Sequence, residues 1–247
     1  MQFQFNWLFF SPPKTPQYNQ QSFGPNLIFI NSNIRKVPCF IEKGTSNIWI
    51  MFFHGNKQDL YGAVEFMKQV KNATEKDFNI MAIEYPTYGL YKDAELTEEN
   101  IQQDAIAAFE YIENKYENSQ IYIMGRSMGS GPACYLANLQ KGKGLILISA
   151  YASFSKIAYE HASSLGVLVK DRFQNAIYAK NITIPTLLIH GMADDIINYT
   201  QTIDIYNNLR SIMKPIHLPQ NMTHTNYDMI KDICEPLLDF FDLITYS

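Results

Sequence analysis

The sequence predicts an α/β domain built on a mostly parallel central sheet of about eight strands, flanked by helices. Three observations carry this. Apolar runs alternate with helical patterns from residue 26 onward, the signature of strand–helix–strand units. Several runs (IWIMFF, IYIM, LILI, LLI) are apolar at consecutive positions, as strands covered on both faces must be. The chain has 247 residues, 47% of them hydrophobic. A chain of that size can hide on the order of 70% of its unfolded surface in one core.

Residues 1–21 read as an extended N-terminal arm, because the stretch SPPKTPQYNQQSFGP at 11–25 is rich in Pro, Gln and Ser. A single domain is expected over 22–247. Its candidate strands are Asn26–Ile30, Val37–Ile41, Ile48–Phe53, Phe78–Tyr85, Ile121–Met124, Leu145–Ser149, Thr186–His190 and Pro215–Leu218. The first two have no helix between them and read as an antiparallel hairpin at one sheet edge. Helical patterns fall at Leu60–Lys71, Thr97–Glu117, Met128–Gln140 and Tyr199–Arg210, and from Asn226 to the C-terminus. The clearest starts at Thr97, a good N-cap, with Glu98 and Glu99 in the first turn where the helix dipole favours negative charge. Ile101, Ala105, Ala108, Phe109, Ile112 and Tyr116 then share one face. Pro236 is expected to break or restart the last helix.

Composition excludes several classes. The net charge is −4, without the basic excess of a nucleic-acid binder. Three widely spaced cysteines (Cys39, Cys134, Cys234) form no C-x-x-C pair. Neither a zinc site nor a disulfide framework is indicated, and a reducing, cytoplasmic compartment is the natural expectation. The N-terminus, MQFQFNWLFF, lacks the basic start and small-residue cleavage site of a signal peptide. No apolar run approaches the roughly 18 residues of a membrane span.

The sharpest chemical signal is Gly125-Arg126-Ser127-Met128-Gly129, a G-x-S-x-G between an apolar strand and a helix. That context makes it a nucleophile elbow: small residues two before and two after the serine let neighbouring chain pass close by, and the following helix points its positive end at the site. In chain order an acid and then a histidine should follow. After the strand at Thr186–His190 comes Gly191-Met192-Ala193-Asp194-Asp195, so two carboxylates compete, and spacing does not choose between them. Five histidines are present. His54 and His190 precede the candidate acids and take local roles, His161 lies between serine and acids, and His217 lies inside the last strand. His224, in a polar loop after that strand, is the candidate general base. Two backbone donors are expected for a developing oxyanion. One is Met128 N–H, after the nucleophile. The other is Asn56 N–H, in the loop His54-Gly55-Asn56-Lys57-Gln58-Asp59.

Together these residues resemble the α/β-hydrolase superfamily. More narrowly, they are similar to the α/β-hydrolase-domain serine hydrolases that include the protein depalmitoylases. The motifs are FFHGNKQDL (52–60), EYPTYGLY (84–91), IYIMGRSMGSGP (121–132), LVKDRF (168–173), IPTLLIHGMADDII (184–197) and MTHTNYD (222–228). The resemblance runs from about residue 22 to the C-terminus. It implies an α/β-hydrolase fold with Ser127 as nucleophile, Asp194 as acid and His224 as base, and with backbone donors at Asn56 and Met128. It implies no cofactor and no metal. Two departures stand out: Thr87 replaces a usual glycine, and Asn221-Met222-Thr223 replaces a usual glycine before the histidine. Related depalmitoylases also carry a lipidated N-terminal cysteine cluster, whereas the first cysteine here is Cys39.

Residues 150–185 occupy the position of a small cap over the site, and their aromatic and aliphatic side chains suit an acyl groove. Tyr88, Tyr151, Phe154 and Leu168 are the candidate substrate-binding residues. The expected activity is hydrolysis of an acyl ester or thioester, with an acylated protein or a small acyl ester or thioester as partner and no nucleic acid. The alternative is a hydrolase-fold subunit of a larger assembly with little or no catalysis. The N-terminal arm would then dock on protein, or rest peripherally on a membrane.

Overall fold

Strands that are apolar at every position need cover on both faces, and this sheet has it. The computed structural model describes residues 10–162 and 171–245. Strands β1 (Leu27–Ser32), β2 (Arg35–Glu42), β3 (Ile48–Phe53), β4 (Asn79–Ile83), β5 (Gln120–Arg126), β6 (Gly144–Ile148), β7 (Thr186–Ile189) and β8 (Ile216–His217) form one eight-stranded sheet. Their order is β1-β2-β4-β3-β5-β6-β7-β8. β1 and β2 are the antiparallel hairpin, β2 pairs antiparallel with β4, and all later pairs are parallel.

The helices are α1 (Leu60–Thr74), α2 (Glu98–Lys115), α3 (Ser130–Asn138), α4 (Phe154–Ala162), α5 (Asn175–Tyr178), α6 (Thr200–Asn208) and α7 (Glu235–Thr245). Side chains alternate across a strand, and β3 shows the consequence. Trp49, Met51 and Phe53 join one buried cluster with Ala105, Ala108 and Ile112 of α2 and Ala133 of α3. Ile50 and Phe52 join the other with Ala63, Val64 and Met67 of α1 and Leu237 and Phe240 of α7. The expected N-cap is in place: Thr97 Oγ1 accepts from Asn100 N–H at 3.1 Å.

Three boundaries differ from the sequence expectation for physical reasons. β8 is only two residues long, because it is an edge strand held by β7 alone. The helix expected from Met128 opens as a tight 3₁₀ turn over Ser127–Gly129 before α3 begins. The last helix begins as a wide π-type turn over Met229–Cys234, and α7 restarts at Glu235, next to Pro236, whose missing N–H suits a first turn.

Two features position a site. The sheet order reverses at β3: one connection leads out to β4, and the next crosses back to β5. The crevice at the carboxyl ends of β3 and β5 is therefore a topological switch point, where open α/β sheets hold ligands. The N-terminal arm is bonded down over its described part. Ser11 N–H donates to Asn56 Oδ1 at 2.6 Å, Gln17 N–H to Asp59 Oδ2 at 2.7 Å and Tyr18 O–H to Glu84 Oε2 at 2.9 Å. Residues 1–9 lie outside the described residues.

Candidate active site

At the carboxyl end of β5 the chain must turn straight into a helix, and the two glycines make that turn fit. A Cβ at Gly129 would run into the carbonyl oxygen of Phe53, at the end of the neighbouring strand β3. A Cβ at Gly125 would meet the Gly129 carbonyl and come within 2.7 Å of Ala133 Cβ. Between them Ser127 takes a φ of 52°, left-handed backbone that costs a non-glycine residue on the order of 1–3 kcal/mol. The turn lifts the Ser127 hydroxyl out of the strand end. Ser130 Oγ–H braces the turn by donating to Ser127 O at 2.7 Å.

His224, in the loop between β8 and α7, brings Nε2 to 3.0 Å from Ser127 Oγ. Its Nδ1 lies 2.7 Å from Asp194 Oδ2. Asp194 Oδ1 accepts from Ile196 N–H at 2.9 Å and Ile197 N–H at 2.8 Å. His190 Nε2 stands 3.2 Å from Asp194 Oδ2 and 2.9 Å from Ile197 O. Facing two acceptors, that nitrogen carries its hydrogen. Burial disfavours an ionised Asp194, but hydrogen bonds from His190, His224 and Ile197 outweigh it and hold the carboxyl well below its usual range. An ionised carboxylate only accepts, so His224 Nδ1 must donate. That leaves the Nε2 lone pair facing the serine Oγ–H. Asp195 is exposed and stands apart from this chain of bonds, so of the two carboxylates it is Asp194 that the fold brings to His224.

The loop after β3 lies against the serine: a Cβ at Gly55 would come 3.5 Å from Ser127 Cβ. Asn56 Oδ1 accepts from Ser11 N–H at 2.6 Å, Lys57 N–H at 3.0 Å and Tyr88 O–H at 2.8 Å. Its side-chain oxygen is thus occupied, and the main-chain N–H of position 56 is the donor expected to face a ligand. Met128 supplies a second N–H, in the first turn of a helix, where such donors lack an intrahelical acceptor. Behind the loop, His54 and Glu84 are both fully buried and 3.1 Å apart. Glu84 also accepts from Leu60 N–H, Tyr85 N–H and Tyr18 O–H. Burial and then the Glu84 charge push the Tyr18 phenol well above its usual range, so it stays a neutral donor.

Comparison with known proteins agrees with this architecture. An alpha/beta hydrolase of Acanthamoeba polyphaga mimivirus is 27% identical over 94% of this chain and 92% of its own. The alpha/beta hydrolase domain-containing protein 17C of Mus musculus is 24% identical over 91% and 70%. Among solved structures, an esterase from Pyrococcus furiosus superposes with a TM-score of 0.73 at 16% identity, covering 96% of this chain and 97% of its own. No family model matches the chain. The chain has the α/β-hydrolase fold and resembles α/β-hydrolase-domain proteins along most of its length.

Other sequence-predicted residues fall differently. Tyr88, Tyr151 and Phe154, expected along an acyl groove, are core side chains at 2% exposure or less. Tyr151 and Phe154 pack 4.9 Å apart, and the Phe10 and Phe173 rings each lie 5.6 Å from Phe154. These rings form a buried wall behind Met128, where Tyr151 O–H donates to Met128 O at 3.4 Å. Leu168 and the first half of LVKDRF lie outside the described residues. Sequence reasoning also missed partners of the site. His190, read as a local turn residue, bonds to the buried acid. Arg126, the variable residue of the G-x-S-x-G, donates from Nη2 to His224 O at 3.0 Å. The Arg126 contact has no signal in linear spacing, since it joins segments 98 residues apart, whereas His190 and Asp194 are only four residues apart and their contact depends on how the turn after β7 folds. Among the described residues there is no group of three or more His, Cys, Asp or Glu that could hold a metal ion, and no helix is long and apolar enough to cross a membrane.

Proposed function

We propose that this chain is a serine hydrolase of acyl esters and thioesters, with acyl-protein thioesterase (depalmitoylase-like) chemistry as its foremost activity. One observation carries the reading: a strained Ser127 with His224 Nε2 at 3.0 Å, and His224 Nδ1 2.7 Å from the buried Asp194. The relatives named as α/β-hydrolases and the esterase structures that share the fold support it.

Ser127 Oγ attacks the acyl carbonyl carbon as its proton passes to His224 Nε2. Asp194 keeps the ring in the right tautomer and stabilises the imidazolium that forms. The carbonyl oxygen becomes an oxyanion facing Asn56 N–H and Met128 N–H, donors worth roughly 10²–10³ each in rate. The bond to the alkoxide or thiolate leaving group then breaks, and His224 returns the proton to that group. Water then attacks the acyl carbon as it gives a proton to His224, the bond from that carbon to Ser127 Oγ breaks, and His224 returns the proton to Ser127 Oγ, releasing the acid and the free serine. Selectivity for thioesters over esters is inferred from the motif resemblance and from the shortness of the cap, which suits a bulky acylated protein.

The test is covalent labelling of purified protein with a fluorophosphonate. The wild type should label, Ser127→Ala should not, and His224→Ala should label far more slowly. A chain-length series of acyl thioesters beside matched oxyesters then ranks the substrates. A folded wild type that does not label would overturn the hydrolase reading in favour of an assembly subunit.

A further inference from the structure

The proton passes through His224 Nε2 twice in each cycle, so the separation of His224 from Ser127 must be held. The loop carrying His224 follows β8, which pairs with the sheet through two residues. From the β7 side it is tied by Met192 N–H to Pro219 O at 2.9 Å, by Ala193 N–H to Met222 O at 3.2 Å and by Asp194 to His224 Nδ1. These hold the loop to the acid, and none of them sets its distance from the serine.

A further tie does. Arg126 immediately precedes Ser127, and its guanidinium donates to the backbone oxygen of His224 itself at 3.0 Å. The same guanidinium lies 5.6 Å from the Phe66 ring centre and 5.1 Å from that of Tyr227. Phe66 belongs to α1, which packs on the sheet, and Tyr227 lies three residues beyond His224 in the same loop. The two rings are 6.5 Å apart and nearly perpendicular. Arg126 therefore grips the histidine loop at two points, a carbonyl and a ring, from the residue beside the nucleophile. A planar guanidinium can do both at once. A lysine ammonium can offer only a point charge.

We propose that Arg126 is a positioning residue that sets the distance between the serine and the histidine by clamping the His224 loop to β5. The inference rests on the hydrolase reading above. It expects the loss to fall on kcat and not on substrate binding, because Arg126 acts behind the base through its backbone.

The experiment compares wild type with Arg126→Ala, Arg126→Met and Arg126→Lys, using hydrolysis of a short acyl ester and the rate of fluorophosphonate labelling. Exposed Arg210, outside the site, is changed to Ala as the control and should behave as wild type. A displacement of the base by an ångström costs about 10²-fold. Arg126→Ala should therefore lose about that factor in both kcat and labelling rate, with KM within about twofold. Millimolar guanidinium should restore part of the Arg126→Ala rate, whereas ammonium should not. Arg126→Lys should stay well below wild type. Should Arg126→Ala not fold, Arg126→Met keeps the apolar stem between the rings and carries the same kcat and KM test. A wild type that does not label overturns the hydrolase reading. A wild type that labels, beside Arg126 variants with unchanged kcat or with losses confined to KM, overturns the clamp. So does activity that falls only with the folded fraction and shows no guanidinium rescue.

Discussion

Replacing Thr87 by glycine should stabilise the protein by about 1 kcal/mol. Thr87 lies in the loop after β4 with a φ of 73°. A β-branched residue is an outlier there, and the clash of Cβ with the backbone costs roughly 1–2 kcal/mol. What holds Thr87 in place is main chain: its N–H donates to Tyr91 O at 2.7 Å, and its O accepts from Lys92 Nζ at 2.9 Å. Glycine keeps both bonds and removes the clash. It also loosens the unfolded chain, which takes back about 0.4–1 kcal/mol. The net gain should raise the melting temperature by roughly 2–4 °C for a chain of this length. Urea unfolding should show a higher midpoint with an unchanged slope. Thr87→Ala is the comparison, since alanine keeps the Cβ that clashes and should gain much less. A glycine variant no more stable than the alanine variant would refute the strain argument.

Three further outcomes follow from the same contacts. Gly129→Ala drives a methyl into the Phe53 carbonyl and towards His54 O. It should cost roughly 2–3 kcal/mol, seen as a lower urea midpoint together with lost fluorophosphonate labelling. Phe10→Ala removes a ring at 4% exposure from the Phe154 cluster and should cost roughly 3 kcal/mol in the same assay. Asp194 is held below its ordinary value of 3.8, so the folded state gains from its ionisation above that pH and loses the gain as pH falls through the lower, folded-state value. The stability difference between wild type and Asp194→Asn should stay level from neutral pH down to about 4 and shrink in stronger acid. A difference that shrinks between neutrality and pH 5, or grows in acid, would show that Asp194 is not held ionised in this way.

The elements that were legible in the sequence are those whose signal is local. The run IWIMFF announces a strand covered on both faces because alternate side chains enter two different clusters. The nucleophile elbow is legible because strand, small residues and helix are contiguous. What was not legible depends on contacts between distant segments. Asp194 and Asp195 have the same chemistry and adjacent positions, and only the fold turns one toward His224 and leaves the other exposed. Tyr88, Tyr151 and Phe154 have the composition of an acyl groove, yet they pack as a buried wall. An aromatic residue carries no mark of which side of a cap it faces. The Pro- and Gln-rich stretch reads as an extended arm, and from Ser11 to Tyr18 it is pinned by hydrogen bonds to Asn56, Asp59 and Glu84, partners that no local pattern announces.

That pinning ties the arm to the chemistry. Asn56 Oδ1 receives donors from the arm, from its own loop and from Tyr88, and the Tyr88 O–H also lies 3.8 Å from Met128 Sδ. The Tyr88 side chain thus touches both residues expected to supply the oxyanion donors. Below it, Glu84 joins Tyr18 of the arm, His54 at the end of β3 and Leu60 at the start of α1. A buried carboxylate is costly unless its oxygens are occupied, and here every partner comes from a segment that borders the loop after β3. The arrangement puts rigidity where an oxyanion hole needs it: donors fixed in advance do not have to reorganise as charge develops. The loop after β3 is thus tied to the arm through Asn56 and Asp59, to Tyr88 through Asn56 and to Tyr85 through the His54 carbonyl.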